Sequence, residues 1–145
     1  MKLPVALLAA TTLGLSGCAS GQIGTLPVTT QAAAANVHVL RVSSIMGVGI
    51  AFRIAYDGQN IFDIRSGQVG SFPVPPGTHT IEMKCFGGLL PIVQTEDVEE
   101  NFTTGKDYYF LVQPDIVTCA SIQSMGPDQG AGMMQDMTPV PLSNN

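Results

Sequence analysis

The sequence predicts an all-β fold, a small antiparallel β-sandwich of seven or eight strands that follows an export signal and a flexible tether. The first observation is that apolar and polar residues alternate with a period of two between residues 36 and 125, as in half-buried strands. The second is that turn sequences rich in Gly, Pro, Asn and Asp separate these stretches. The third is that no stretch of helical length carries an amphipathic stripe, which argues against a parallel α/β fold.

The first 17 residues have the organisation of a signal peptide. Lys2 precedes an apolar run over residues 3–15, and the small residues Ser16 and Gly17 follow it. An apolar run of this length is too short to cross a bilayer, which requires about 20 residues. Residues 1–17 are therefore predicted to direct export and to be removed.

The tetrad Leu15-Ser16-Gly17-Cys18 resembles the lipobox of bacterial lipoprotein signal peptides. The resemblance implies that Cys18 carries a diacylglyceryl thioether, that cleavage precedes it, and that its new amine is acylated with a chain such as palmitate. Several acyl chains, at about 0.8 kcal/mol per buried CH₂, hold a protein on a membrane essentially permanently. Ala19 follows instead of an Asp, so resemblance to the Gram-negative sorting rule implies the periplasmic face of the outer membrane.

Two segments are predicted to lie outside the folded body. Residues 18–35 contain no charge and no periodic apolar face, which is typical of a flexible tether. As a random coil such a segment would span about 20 to 25 Å. Residues 126–145, rich in Gly, Pro, Asp, Gln and Met, are predicted to form a disordered tail.

The strands of the body, residues 36–125, are predicted from their alternation. Three stripes are clear: Val48, Ile50, Phe52, Ile54 and Tyr56; His79, Ile81, Met83 and Cys85; and Tyr108, Phe110 and Val112. Shorter candidates are residues 37–43, 61–65, 69–74, 98–102 and 116–122. The turns between them are Asp57-Gly58-Gln59-Asn60, Pro75-Pro76-Gly77, Gly87-Gly88 and Thr103-Thr104-Gly105-Lys106.

The order of these strand and turn sequences resembles a known family. The opening strand Val37-His38-Val39-Leu40-Arg41, the turns at Asp57-Gly58 and Pro75-Pro76-Gly77, and the closing Gly105-Lys106-Asp107-Tyr108 carry the resemblance. The chain is similar over most of residues 36–113 to small envelope lipoproteins that have a domain of unknown function and a PEGA-like β-sandwich. These are turn and core motifs, so the resemblance implies a fold and transfers no catalytic residue.

Cys85 and Cys119 remain once Cys18 is assigned to lipid. An even pair of cysteines in an oxidising compartment predicts a disulfide. On the chain-entropy model a bridge that closes a loop of this size contributes roughly 3 to 4 kcal/mol. Two buried thiols are the alternative.

Catalytic templates are not matched, and the sequence predicts no catalytic residue, no metal and no cofactor. Gly47-Val48-Gly49 starts like a dinucleotide-binding loop, but Phe52 stands where a third Gly is needed. His38 and His79 are predicted to be hydrogen-bonded structural histidines. An alternative is a hydrolytic carboxylate pair formed by Asp57 and Asp63.

Two further clusters, one of acidic residues and one of methionines, have both a structural and a functional interpretation. The first is predicted to be a solvated strand edge, with calcium binding as the alternative: Glu96, Asp97, Glu99 and Glu100. The second is predicted to belong to the disordered end or to a segment that attaches to a partner, with Cu(I) binding as the alternative: Met133, Met134 and Met137.

The function predicted from these features is that of a non-catalytic lipoprotein, anchored to the outer membrane, that acts as a structural or interaction module. Its partners would be the membrane, through the lipid, and an envelope protein or cell-wall component. A composition that is 45% hydrophobic can supply a core, and a net charge of −5 argues against binding nucleic acid. The alternative is a glycan or peptidoglycan-binding module that uses exposed aromatic residues such as Tyr56, Phe86 and Tyr109.

Overall fold

Alternating strand sequences fold into two β-sheets that pack face to face in the computed structural model, which describes residues 21–86, 93–115 and 119–143. The strands are β1 (Ala35–Arg41), β2 (Phe52–Tyr56), β3 (Gln59–Ile64), β4 (Gln68–Val74), β5 (Gly77–Phe86), β6 (Val93–Phe102), β7 (Asp107–Asp115), β8 (Cys119–Met125) and β9 (Thr138–Pro139). The helices are a 3-10 turn (Gln31–Ala33) and α1 (Pro127–Met134).

One sheet has the strand order β3-β2-β5-β6 and is antiparallel throughout. The other has the order β8-β7-β1-β4-β9 and contains two parallel pairs, β1 with β7 and β4 with β9. The predicted all-β sandwich is confirmed, whereas the prediction that it is antiparallel is wrong for the pairs β1–β7 and β4–β9. The described residues form nine strands where seven or eight were predicted, because the C-terminal segment adds the short edge strand β9.

The core between the sheets is built from the predicted alternating stripes. Phe52 and Ile54 of β2, Met83 of β5, and Phe110 and Val112 of β7 are all buried there. Each such side chain contributes roughly 1.5 to 3 kcal/mol relative to an exposed position. The period-two pattern therefore predicted which face of these strands is internal.

The first stripe begins later than its alternation predicts. Val48 and Ile50 are exposed, and β2 starts only at Phe52. The chain turns at Gly47, whose φ of +68° is left-handed, and the Ile50 amide donates to the Gly47 carbonyl at 3.0 Å. A glycine adopts this conformation at little cost, so a local turn interrupts what looks like a continuing strand.

The outer face of the second sheet has a core of its own. Leu40, Val69, Tyr109 and Leu111 are buried there beneath α1 and three partly buried methionines, Met133, Met134 and Met137. The prediction of a disordered tail is therefore wrong for residues 126–143. The helix escapes sequence analysis because two of its eight residues are glycines, which lower helix propensity.

The segment predicted as a tether is also packed against the body over residues 21–35. The Asp63 amide donates to the Gly21 carbonyl at 3.2 Å, and the Ile23 amide donates to Ile61 at 2.9 Å. Leu26 is buried in the main core. Irregularly spaced apolar residues in an uncharged stretch give no periodic signal, so the tether prediction is wrong here; residues 18–20 lie outside the described residues.

The predicted disulfide is confirmed. Cys85 of β5 and Cys119 of β8 are bonded, with their Cα atoms 6.3 Å apart, so the bridge links the two sheets. The predicted turn at Gly87-Gly88 and residues 116–118 of a predicted strand lie outside the described residues. Within the described part of the chain, no helix has the length and apolar character needed to cross a membrane.

Candidate functional site

Arg41, the last residue of β1, is the largest buried polar side chain of the described residues and is only 1% exposed. It follows Val37 and Val39 on the core face of the strand. Its guanidinium donates three hydrogen bonds to backbone carbonyls: Nη1 to Ile50 at 2.6 Å and to Ile64 at 3.0 Å, and Nη2 to Gly47 at 2.7 Å. These bonds join β1, the end of β3 and the connection between β1 and β2.

The positive charge of Arg41 is stabilised by the carbonyl dipoles and by the aromatic ring of Phe52. Its Cζ atom lies 3.8 Å from the centroid of the Phe52 ring, which is a cation–π geometry. Burial, and secondarily the charge of Arg65, lower the pKa of Arg41 to about 10. This value is far above neutrality, so the guanidinium remains charged and keeps its donors at physiological pH.

The segment that Arg41 holds is here named the apolar loop and comprises residues 44–50. Its exposed side chains are Ile45, Met46, Val48 and Ile50, of which Ile45 is 96% and Val48 64% exposed. They make up four of the seven large hydrophobic residues that are exposed among the described residues. No charged residue occurs between Arg41 and Arg53. Clustered exposed apolar groups of this kind mark interaction sites.

The apolar loop has a defined hydrogen-bonded conformation. The Ser44 amide donates to Ser66 Oγ at 3.0 Å, and the Met46 amide donates to Ser44 Oγ at 3.1 Å. The carbonyl of Gly47 accepts from both Arg41 and the Ile50 amide. The amides of Ser44, Met46 and Ile50 and the carbonyls of Gly47 and Ile50 are thus bonded within the protein, while the apolar side chains of the loop are exposed.

The apolar loop occupies one end of the sandwich, here named the loop end, together with the turn at residues 65–67 and the start of β8. The register places Phe52 beside Ile64 and Cys85, and Arg41 beside Gln68. The opposite end carries the turns at residues 57–58, 75–76 and 103–106. Gly21, the first described residue, is bonded to Asp63 and so also lies at the loop end.

His79 has the structural role predicted for it. Its Nδ1 lies 2.7 Å from Asp57 Oδ2, and Asp57 Oδ1 accepts the Thr80 amide. The ring also packs near Tyr56 and Phe102. These contacts fasten the β2–β3 turn to the start of β5.

His38 lies among a hydroxyl, a carboxylate and a ring on the outer face of the second sheet. Its Nδ1 is 2.8 Å from Ser71 Oγ, its Nε2 is 3.6 Å from Asp107 Oδ1, and its ring stacks on Tyr109. In serine hydrolases the hydroxyl bonds to Nε2 and the carboxylate to Nδ1, so the two nitrogens here have exchanged roles. Burial lowers the pKa of His38 despite the hydrogen bond and charge of Asp107. The contacts link three adjacent strands.

The carboxylates proposed as a hydrolytic pair are not brought together. Asp57 lies in the turn at one end of β3 and binds His79, whereas Asp63 lies near the other end of β3. Asp63 forms a two-pronged ion pair with Arg53, at 2.9 and 3.2 Å. The hypothesis of a catalytic Asp57–Asp63 pair is therefore wrong.

The acidic cluster lies on β6, an edge strand of the first sheet, as predicted. Three of its members are exposed and the fourth is half-buried: Glu96, Asp97, Glu99 and Glu100. Charges on an edge strand discourage pairing with another sheet. Across residues 21–86, 93–115 and 119–143, no group of three or more His, Cys, Asp or Glu residues could hold a metal ion.

The aromatic residues suggested for glycan binding do not form an exposed platform. Tyr56 and Tyr109 are 8% and 7% exposed. Tyr109 is covered by α1, where Gly130 packs so closely that an added Cβ would collide with the ring. The side chain of Phe86, the third candidate, lies outside the described residues.

A shallow depression forms where the two ends of the described chain meet. It is lined by Gln22, Ile23, Gly24, Thr25 and Ser143. The Ser143 amide donates to Gln22 Oε1 at 2.8 Å and joins the ends. None of the lining side chains titrates near neutral pH, so the depression offers no acid or base for catalysis.

Sequence analysis missed Arg41 and the apolar loop, although the sequence carries a signal for both. Arg41 has the same strand parity as Val37 and Val39, so it is a charged residue placed on a core face. A buried charge requires partners, and the uncharged, glycine-containing residues 42–52 supply carbonyls nearby. The alternation of Val48 and Ile50 with glycines concealed the turn.

Comparison of the chain with family models, with curated proteins and with solved structures finds no match. The resemblance to PEGA-like envelope lipoproteins therefore stays a prediction. The site is defined by its geometry alone: a buried arginine that fixes an exposed apolar loop at the end of the sandwich where the described chain begins.

Proposed function

We propose that this chain is a lipid-anchored, non-catalytic module of the bacterial envelope that works as a structural or interaction module at the periplasmic face of the outer membrane. The observation that carries the proposal is the apolar loop, because its exposed side chains are held in a fixed conformation by Arg41. A rigid, uncovered apolar surface is suited to binding and offers no reactive group.

The lipid anchor is supported by the lipobox-like tetrad that ends at Cys18, three residues before the first described residue. The Cys85–Cys119 bridge fits the same location, since stable disulfides form in oxidising compartments such as the periplasm. Anchored in this way, the sandwich would present its remaining surface to an envelope protein or to the cell wall.

A non-catalytic role is supported by the structural contacts that the histidines and the Asp57 and Asp63 carboxylates make. His79 with Asp57, and Asp63 with Arg53, hold strands and turns together. His38 is packed against Tyr109, and burial favours its neutral form. Each of these contacts has a structural explanation that requires no substrate.

The anchor is tested by labelling cells with radioactive palmitate and fractionating their membranes. The wild-type chain should incorporate label and sediment with the outer membrane, whereas Cys18→Ser should do neither. Ala19→Asp is the matched control, because it keeps the acylated cysteine and should move the labelled protein to the inner membrane. An unlabelled wild-type protein, or C18S that fractionates like wild type, would overturn the proposal.

A further inference from the structure

We infer that the apolar loop is a second membrane contact, which inserts Ile45, Met46, Val48 and Ile50 among the lipids of the leaflet that holds the anchor. The inference rests on the proposed function, because it requires an acylated Cys18. It goes further by assigning an occupant to the exposed apolar surface and by fixing the orientation of the sandwich: the loop end faces the membrane.

The length of chain between the anchor and the body determines what can lie against the loop. Cys18 and Gly21 are three residues apart, which corresponds to about 11 Å of fully extended chain. The Gly21 carbonyl accepts the Asp63 amide at 3.2 Å. The carbonyl of Ile64, the residue after Asp63, accepts from Arg41, which also holds the apolar loop. The acylated cysteine therefore keeps the loop end close to the lipid surface.

This short connection favours lipid over a protein partner. A folded domain of 100 residues has a radius of gyration of about 13 Å, so its full width exceeds the space that the connection allows. A protein that covered the apolar loop would have to separate the loop end from the membrane by that width. Lipid lies within reach and needs no such separation.

The chemistry of the apolar loop suits the boundary between headgroups and acyl chains. In lipid, backbone polar groups must be satisfied internally, because no water replaces their hydrogen bonds. Arg41 donates hydrogen bonds to the Gly47 and Ile50 carbonyls, and the Ser44 hydroxyl oxygen accepts the Met46 amide. The residues between Arg41 and Arg53 carry no charge that would have to be desolvated.

One exposed charge beside the apolar loop, that of Arg65, suits a phospholipid surface, and the exposed Asp115 ends β7 at the same end of the sandwich. Arg65 is exposed and follows directly after Ile64 at the loop end. A long cationic side chain in this position can lie along the headgroups and reach their phosphates. The acidic edge strand β6 is at the far side of its sheet from β3 and the Gly21 segment.

The absence of tryptophan from the sequence makes a single-reporter experiment direct. Val48→Trp places a fluorophore on the apolar loop, and Val28→Trp is the matched control at a 91% exposed position outside the loop. Each full-length protein is expressed with its signal peptide, purified in the acylated form and reconstituted into phosphatidylethanolamine vesicles with a minor share of phosphatidylglycerol. Some vesicles carry lipids with a spin label near the headgroup.

The V48W emission should shift to shorter wavelength on reconstitution and should be quenched by the spin-labelled lipid, whereas V28W should show neither change. If V48W fails to fold by circular dichroism, Met46→Trp replaces it. An acylated, membrane-bound protein in which V48W behaves like V28W would overturn the membrane contact and leave the proposed function standing. A mature protein whose mass shows no acyl chains would overturn both.

Discussion

Replacing Arg41 with Met tests whether the buried guanidinium fixes the apolar loop. Methionine has a similar length and fills the same space, but it donates no hydrogen bond. The substitution removes three charge-assisted bonds and the contact with Phe52. The carbonyls of Ile50 and Ile64 lose their arginine donor, while Gly47 retains the Ile50 amide.

The expected loss of stability follows from these contacts. A hydrogen bond to a charged group contributes about 1.5 to 3 kcal/mol, and an unsatisfied buried carbonyl costs about 1 to 3 kcal/mol. Removing a buried charge recovers its desolvation cost, which offsets part of the loss. We expect R41M to reduce the free energy of unfolding by about 2 to 4 kcal/mol. At roughly 4 °C per kcal/mol for a domain of this size, Tm should fall by about 8 to 16 °C.

Urea and thermal unfolding, followed by circular dichroism, measure this loss. Arg65→Met is the control, because Arg65 is exposed and its substitution should change stability by less than about 0.5 kcal/mol. R41M should also be cleaved faster by subtilisin within residues 44–50, since the loop loses its clamp. A stability within about 0.5 kcal/mol of wild type, with unchanged cleavage, would refute the assignment.

Three other predictions follow from the disulfide, the half-buried His38 and the packing of α1. Replacing Cys85 and Cys119 together with Ala should lower the free energy of unfolding by about 4 kcal/mol in urea titration, because the bridge closes a loop with a sequence separation of 34; a loss below about 1 kcal/mol would contradict the entropic argument. Burial lowers the pKa of His38 below its usual 6.5, so the folded protein favours the neutral imidazole more than the unfolded chain does. The free energy of unfolding should therefore fall as the pH drops below about 6.5. His38→Gln should flatten this dependence in urea titrations between about pH 7.5 and 5, and an unchanged slope would contradict the assignment. Gly130→Ala should destabilise the protein in thermal unfolding because its Cβ meets an aromatic ring, whereas Gly132→Ala, with open space around it, should be neutral or stabilise by up to about 1 kcal/mol; equal effects would refute the close approach of α1.

The strands of the core were predictable because a strand with one packed face and one polar face shows its buried positions in its own sequence, as alternating apolar and polar residues. The pattern Ile81, Met83, Cys85 shows this directly, since each is buried and the residues between them are partly exposed. The tether and the tail were not predictable in this way. Leu26 is buried in the main core because its segment packs along β3. No pattern within that segment predicts this packing.

A signal for the covered outer face was nevertheless present in β7. The run from Tyr108 to Val112 is apolar at every position, so both faces of the strand are apolar. Such a run is typical of a strand with protein on both sides. Tyr109 and Leu111 required a cover, and the methionines near the C-terminus provide it. The alternation of Tyr108, Phe110 and Val112 described only one of the two cores.

Arg41 illustrates why the site was harder to predict than the fold. An apolar residue at this position could fill the end of the core, and the parity that Arg41 shares with Val37 and Val39 favours one there. What an apolar residue cannot do is bind the carbonyls of Gly47, Ile50 and Ile64 at the same time. The arginine therefore specifies the conformation of a loop whose side chains remain outside the core. Its contribution is to the shape of the exposed surface, and this is information that strand periodicity does not carry.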